Sequence, residues 1–191
     1  MPQIIEALKL AKSKGLHLPV VYNSSGYEQV ETLKLLEGYV DVYLPDFKYF
    51  KDKYAKKYSF APGYETYTQA ALKEMVRQVG SPQFDADGIL QRGVIARHLM
   101  LPGLLFDSQK VIDYLYTTYG HTLYISLMNQ YTPLAHVAKY PELNRQLSQV
   151  HYDYLVDYAV ELGVENGFIQ EGETNKESFI PPFNEEGVEP F

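Results

Sequence analysis

Four short apolar runs in this chain each pass directly into polar residues. PVVYNSSG (19–26) ends in Asn23, Ser24 and Ser25, and VDVYLPDFK (40–48) ends in Asp46 and Lys48. GVIARHLMLPG (93–103) carries Arg97 and His98, and TLYISLMNQY (122–131) ends in Asn129, Gln130 and Tyr131. A helical pattern precedes each run. Strands buried on both faces read as near-continuous Val/Ile/Leu runs, and alternation with helices makes the sheet parallel. In such α/β folds ligands sit at the carboxyl ends of the strands. The polar residues that close each run are therefore the candidate site.

The helical patterns are of unequal clarity. Ile4, Ile5, Leu8 and Ala11 recur at helical spacing behind Pro2 at a first-turn position, and Gly15 ends the run. A chain that opens on a bare amphipathic helix and then a buried parallel strand is expected to have sequence upstream. Val30–Leu36 reads as a short helix. Tyr64–Val79 is the clearest one, with Tyr67, Ala71, Met75 and Val79 on one face. Lys51–Pro62 is charged and Tyr-rich and reads as a loop with a helical turn. Ser81–Leu90 is a loop or small hairpin turning at Asp87-Gly88. Asp107-Ser108 is expected to cap a helix over Gln109–Tyr119, and Asn144–Leu162 reads as a long helix. Gly167–Gln170 closes the pattern as a short strand. Residues 1–170 thus read as one domain. Residues 171–191 form an acidic tail with Pro181-Pro182 and no periodicity.

With 191 residues the chain can bury a real core. Its net charge of −7 argues against nucleic acid or an anionic membrane as partner. No apolar run approaches the roughly 20 residues that span a bilayer, and no signal-peptide pattern opens the chain. It reads as soluble and cytoplasmic. There is no cysteine, which excludes disulfides, thiolate zinc sites, cysteine nucleophiles and an iron–sulfur cluster held by this chain alone.

Asp46 and Lys48 alternate on a strand end and point the same way. Two readings stand: a salt bridge at the mouth, or a site where Asp46 binds a cation or amine and Lys48 a carboxylate. Arg97 and His98 are neighbours and face opposite sides of their strand. Arg97 either pairs with an acid such as Asp46 or grips an anionic ligand bidentately. His98 reads as a core or interfacial histidine. Asn23, Ser24 and Ser25 form a polar turn or offer oxygens to a ligand. Asn129, Gln130 and Tyr131 contact a base or close the rim. His17, His121, His136 and His151 show no metal-protease spacing. Tyr152, Tyr154 and Tyr158 read as helix packing. Schiff-base chemistry on Lys48 would require a desolvated amine.

Taken in order and spacing, YNSSG, LPDFK, GILQRGVIARHLMLPG and SLMNQYTP resemble the later half of a radical SAM enzyme of the pyruvate formate-lyase activating-enzyme group. The resemblance runs from Pro2 to about Gln170. It implies an α/β fold: a partial (βα) barrel with parallel strands, the last four units of a six-unit barrel. The family's first unit carries a C-x-x-x-C-x-x-C loop for a [4Fe–4S] cluster, and its second strand a Gly-Gly-Glu segment; this chain has neither. The resemblance makes Lys48 a contact to the S-adenosylmethionine carboxylate, with Arg97 on that carboxylate or the ribose. Asp46 becomes a cofactor neighbour or a monovalent-cation ligand. Asn23 and Ser24 match a cation-binding Asp-Thr pair, with Asn in place of Asp. Tyr131 falls where the family has a His near the adenine, and Asn129, read above as a base contact, is a cofactor candidate beside it. The implied reaction is reductive cleavage of S-adenosylmethionine to a 5′-deoxyadenosyl radical, which in activating enzymes takes hydrogen from a partner protein. The fragment itself is expected to be inactive, to hold no cofactor, and either to self-associate through an exposed sheet edge at Pro19–Tyr22 or to cover that edge with its tail. The alternative is a cluster-free module that binds S-adenosylmethionine, a nucleotide or a partner protein.

Overall fold

The computed structural model describes residues 1–170, so the tail expected over 171–191 lies outside the described residues. In chain order the strands are β1 (Val21–Ser24), β2 (Val42–Pro45), β3 (Gln83–Phe84), β4 (Leu90–Leu99), β5 (Tyr124–Met128) and β6 (Gly167–Ile169). The helices are α1 (Pro2–Ser13), α2 (Val30–Lys34), α3 (Asp52–Ser59), α4 (Tyr64–Val79), α5 (Leu105–Tyr119) and α6 (Gln149–Leu162). The sheet runs in the order β1-β2-β4-β5-β6 with every neighbouring pair parallel. The short β3 pairs antiparallel with the start of β4, so Ser81–Leu90 is a hairpin turning through Gly88. The parallel α/β architecture anticipated from the apolar runs is the one observed.

Alternation along each strand divides the sheet into two faces. Tyr43, Phe47, Val94, Ala96, His98, Met100, Ile125 and Leu127 point to one face and are buried. Helices α4, α5 and α6 supply Ala71, Leu72, Met75, Val111, Ile112, Leu115 and Leu155 to the same core. The opposite face carries Asn23, Leu44, Asp46, Arg97, Ser126 and Phe168, in register across the strands. Coverage there is partial: Val21 is 55% exposed and Phe168 48%. β1 is a sheet edge among the described residues, with Leu18 and Val21 exposed beside it. α1 buries no residue fully; Ile5 packs partly buried against the core, and Lys12 Nζ donates to Gly38 O at 3.3 Å.

Several local expectations need correction. Lys51–Pro62 is not a loop but contains α3, whose one buried residue is Ala55. No apolar stripe announces that helix. It is held by rings and lysines, with Tyr54 stacked on Tyr58 and Lys53 and Lys57 over those rings. Asp107 does not cap α5. The helix starts earlier, at Leu105, and the buried Asp107 carboxylate accepts from Phe50 N–H (2.9 Å) and Lys51 N–H (3.0 Å) instead. α6 begins at Gln149 rather than Asn144, because Leu143 and Asn144 N–H both close a turn onto Tyr140 O. On α4 the bounds match the expectation, but Tyr67 is exposed while Glu74 and Gln78 are buried. Gln78 is satisfied by Tyr43, Leu33 and Glu74, which removes the cost of burying it. Among the described residues no helix is long and apolar enough to cross a membrane.

Candidate functional site

The carboxyl ends of β1, β2 and β4 are drawn together by main-chain bonds. Asp46 N–H donates to Ser24 O (2.9 Å) and Phe47 N–H to Arg97 O (2.8 Å), making Asp46 and Arg97 ladder partners. Gly26 permits this closeness. Its φ is +75°, and a Cβ there would lie 2.1 Å from Asp46 O, so the turn after YNSS requires glycine. Tyr64, the buried first residue of α4, completes the junction. Its hydroxyl accepts from Lys48 N–H (3.0 Å) and shares its proton between Ser25 O (2.9 Å) and Asp46 O (3.0 Å). Burial pushes its ionisation up, so it stays a neutral donor. Sequence reading assigned Tyr64 only to a helix; nothing local marks it as the tie between two strand ends.

On the partly covered face the side chains form a chain of charge. Lys48 Nζ lies 3.3 Å from Asp46 Oδ2, and Arg97 Nη2 lies 2.7 Å from Asp46 Oδ1. The same Arg97 nitrogen donates to Asn23 Oδ1 at 2.7 Å. Of the two readings for Arg97, the ion pair with Asp46 is therefore the one the folded chain contains. The pair is close but not aligned as a hydrogen bond, and Asp46 Oδ1 and Arg97 Nε are buried without a hydrogen-bond partner. Asp46 is the most enclosed member, at 14% side-chain exposure, with Arg97 at 24% and Lys48 at 37%. Lys48 is thus open and ion-paired, not desolvated as Schiff-base chemistry would need.

The remaining candidates are distributed around this cluster. Ser24 Oγ accepts from Gly26 N–H (3.1 Å) and so serves its own turn. Asn129 is buried just past β5, and its N–H donates to Gln170 Oε1 (3.1 Å). Tyr131 is buried, with its hydroxyl donating to Leu143 O (2.9 Å). Tyr131 and Lys48 nevertheless border one cavity of about 210 Å³, whose other walls include Tyr49, Tyr58, Leu99 and Leu143. The tyrosine hydroxyls there are engaged by protein: Tyr49 with Ser59 Oγ (2.9 Å), and Tyr58 donating to Glu142 (2.7 Å). The cavity therefore presents ring faces and aliphatic carbons beside a lysine. Tyr49, Tyr58 and Leu143 were not singled out from sequence, since α3 and the segment near Leu143 were read without their tertiary partners.

His98 faces away from this cluster, as adjacency to Arg97 on a strand demands. Its Nδ1 lies 2.7 Å from Phe47 O, while Nε2 is buried without a partner. Burial pulls its pKa down to about 4, so the ring is neutral at pH 7. Of the three tyrosines on α6, Tyr152 is buried and donates to Leu127 O (2.8 Å), Tyr158 bonds Asp113, and Tyr154 is exposed. Among the described residues no group of three His, Cys, Asp or Glu side chains could hold a metal ion.

This arrangement defines a parallel α/β sheet with a cationic and amide cluster at its strand ends, beside an aromatic cavity. The fold is shared with a solved domain of a pyruvate-formate lyase-activating enzyme from Bacteroides vulgatus: TM-score 0.58, 16% identity, 89% of this chain and 91% of that one. In sequence the chain is 28% identical over 159 residues to an uncharacterized protein of Methanocaldococcus jannaschii, covering 83% of this chain. The match spans 43% of that relative's length, so the chain corresponds to less than half of it. No protein-family model matches the chain.

Proposed function

We propose that this chain is the later part of a radical SAM barrel of the activating-enzyme type, and that Lys48, Asp46 and Arg97 hold the amino-acid end of S-adenosylmethionine. The observation that carries this reading is the alternating charge at the strand ends: Lys48, Asp46 and Arg97 in contact on the partly covered face of the sheet. A zwitterionic amino acid needs both signs within a few ångströms, and Lys48 is the exposed cation able to turn to a carboxylate. Asn23 adds an amide oxygen to the same cluster. The likeness in fold to the Bacteroides vulgatus domain supports the reading.

A [4Fe–4S] cluster does not fit this chain, which has no cysteine. In this reading the cluster and its electron chemistry belong to a longer parent protein, together with any protein substrate; the present chain contributes the cofactor's carboxylate contacts and the cavity wall. A monovalent cation between Asn23, Ser24 and Asp46 would compete with Arg97, whose Nη2 already lies 2.7 Å from both Asn23 Oδ1 and Asp46 Oδ1. The open edge of β1 would be covered by preceding strands of the parent, or by a second copy of this chain. A cytoplasmic location goes with this reading. The cysteine-free composition favours the second reading, a cluster-free module that binds S-adenosylmethionine or a nucleotide.

Two measurements test this. Sequence upstream of the codon for Met1 is expected to encode C-x-x-x-C-x-x-C and then Gly-Gly-Glu in frame; a stop codon and promoter there would favour the binding module. If the chain is the cluster-free binding module, titration calorimetry of the 191-residue chain with S-adenosylmethionine is expected to show binding that Lys48→Ala and Arg97→Ala each weaken by about tenfold, the worth of one charge-assisted hydrogen bond. Binding indifferent to both substitutions would remove the carboxylate role, and no binding at all would remove the binding module.

A further inference from the structure

The segment that makes one wall of the cavity differs in charge from the rest of the chain. Residues 48–57 hold five lysines and a single aspartate, in a chain whose net charge is −7. Lys51, Lys53, Lys56 and Lys57 are exposed. Asp52 is occupied by Lys56 (2.6 Å) and by Gly63 N–H. Lys51, Lys53 and Lys139 have no carboxylate within ion-pair distance among the described residues, and Lys139 sits over the rings of Phe60 and Tyr140.

The surface is also aromatic and strained. Among the described residues Phe60 is the non-glycine residue with a positive φ, +52°, and it is 76% exposed. An exposed phenylalanine in a left-handed cap gains nothing from burial and carries backbone strain. One carboxylate already shows how this surface takes an acid. Glu142, distant in sequence, is held by Lys57 Nζ and by the Tyr58 hydroxyl. Those two contacts, the lysine first, keep its pKa down at about 2. Tyr58 and Ser59 at the end of α3 then pass directly into the cavity lining.

We propose that α3, Phe60 and Lys139 form a docking surface for an acidic polypeptide segment, with one apolar side chain of that segment entering the cavity beside Lys48. The charge complementarity comes from Lys51, Lys53 and Lys139. The cavity of about 210 Å³ matches a leucine- or phenylalanine-sized group, and its ring faces and engaged hydroxyls favour an apolar one. A nucleic acid fits less well. The Tyr54 and Tyr58 rings stack on each other with Lys53 and Lys57 over them, and Lys139 lies over the Phe60 ring, so each of these rings already carries a cation where a base would stack. The proposal does not rest on Lys48 and Arg97 holding S-adenosylmethionine.

The test is fluorescence anisotropy of the full chain with a labelled acetyl-Asp-Glu-Leu-Glu-Asp-amide peptide, without S-adenosylmethionine. Saturable binding is expected, weakened about tenfold in a Lys51→Glu/Lys53→Glu/Lys139→Glu variant and lost near about 0.5 M salt. Replacing the peptide's leucine by glycine should weaken it further. Circular dichroism checks that the variant folds, and Lys53→Ala alone gives a milder second variant. Absence of binding, equal binding to the charge-reversed variant, or tighter binding of a basic peptide or an oligonucleotide of the same length would overturn the proposal. Because the cofactor is omitted, loss of S-adenosylmethionine binding leaves this result unaffected.

Discussion

The two faces of the sheet are built from alternate residues of the same strands, and they have been put to different uses. On the helix-covered face, Tyr43, Phe47, Ala96, His98 and Met100 are buried against α4 and α5, and the two charged or amide groups of α4 buried there, Glu74 and Gln78, are hydrogen-bonded. On the opposite face, Asn23, Asp46 and Arg97 occupy the positions one residue out of phase, partly open, with Arg97 ion-paired to Asp46 and hydrogen-bonded to Asn23. One face supplies stability. The other is carried by it, and its loosely paired charges are what a ligand can rearrange.

Substitutions can break or sharpen that contrast. The largest effect belongs to the covered face. Leu72→Ala, in the centre of α4 with no exposure, should cost about 2–5 kcal/mol in denaturant unfolding. Gly26→Ala acts where the faces meet. A Cβ 2.1 Å from Asp46 O forces the β1 and β2 ends apart, costing about 1–3 kcal/mol, and hydrogen exchange should quicken at Asp46 N–H before it does in α4. Asp46→Asn should cost about 1–3 kcal/mol, since it leaves Arg97 without its anion; a loss as large as that of Leu72→Ala would mean the charged face is part of the core.

A pH titration separates the faces differently. The unfolded His98 imidazole takes its proton near 6.5 and the buried one near 4. Between those values the unfolded state binds more protons, so stability is full above about 6.5 and declines as the pH falls towards 4. His98→Asn, which keeps a donor for Phe47 O, should flatten that slope in melting curves; an unchanged slope would place its origin elsewhere. The smallest effect is expected outside both faces. Leu10→Gln on α1, at an exposed position, should shift stability by no more than about 0.5 kcal/mol, and a larger loss would show that α1 is packed in solution.

Local periodicity and strand-end chemistry carried a good part of this in the sequence. The bounds of α4, the final strand β6, the parallel order and the opposite facing of Arg97 and His98 are all legible there, because side-chain alternation and helical spacing are short-range properties. The contact of Asp46 with Lys48 follows from the same alternation. α3 was not legible, because only Ala55 is buried and its order comes from rings and from Glu142, remote in the chain. The start of α5 was misread for a related reason: Asp107 has the chemistry of a cap, but the backbone of Phe50 and Lys51 offers it two donors.

The sequence by itself thus determined the class of fold and the end of the sheet where polar side chains gather, since both depend on patterns only a few residues long. Tertiary structure alone decided which of those side chains meet. It placed Arg97 between Asn23 and Asp46, made Tyr64 the tie between two strand ends, and joined Lys48, Tyr58 and Tyr131 around one cavity. Each of those contacts spans many residues of chain, and a contact of that kind exists only once the strands are in register and the helices have closed one face.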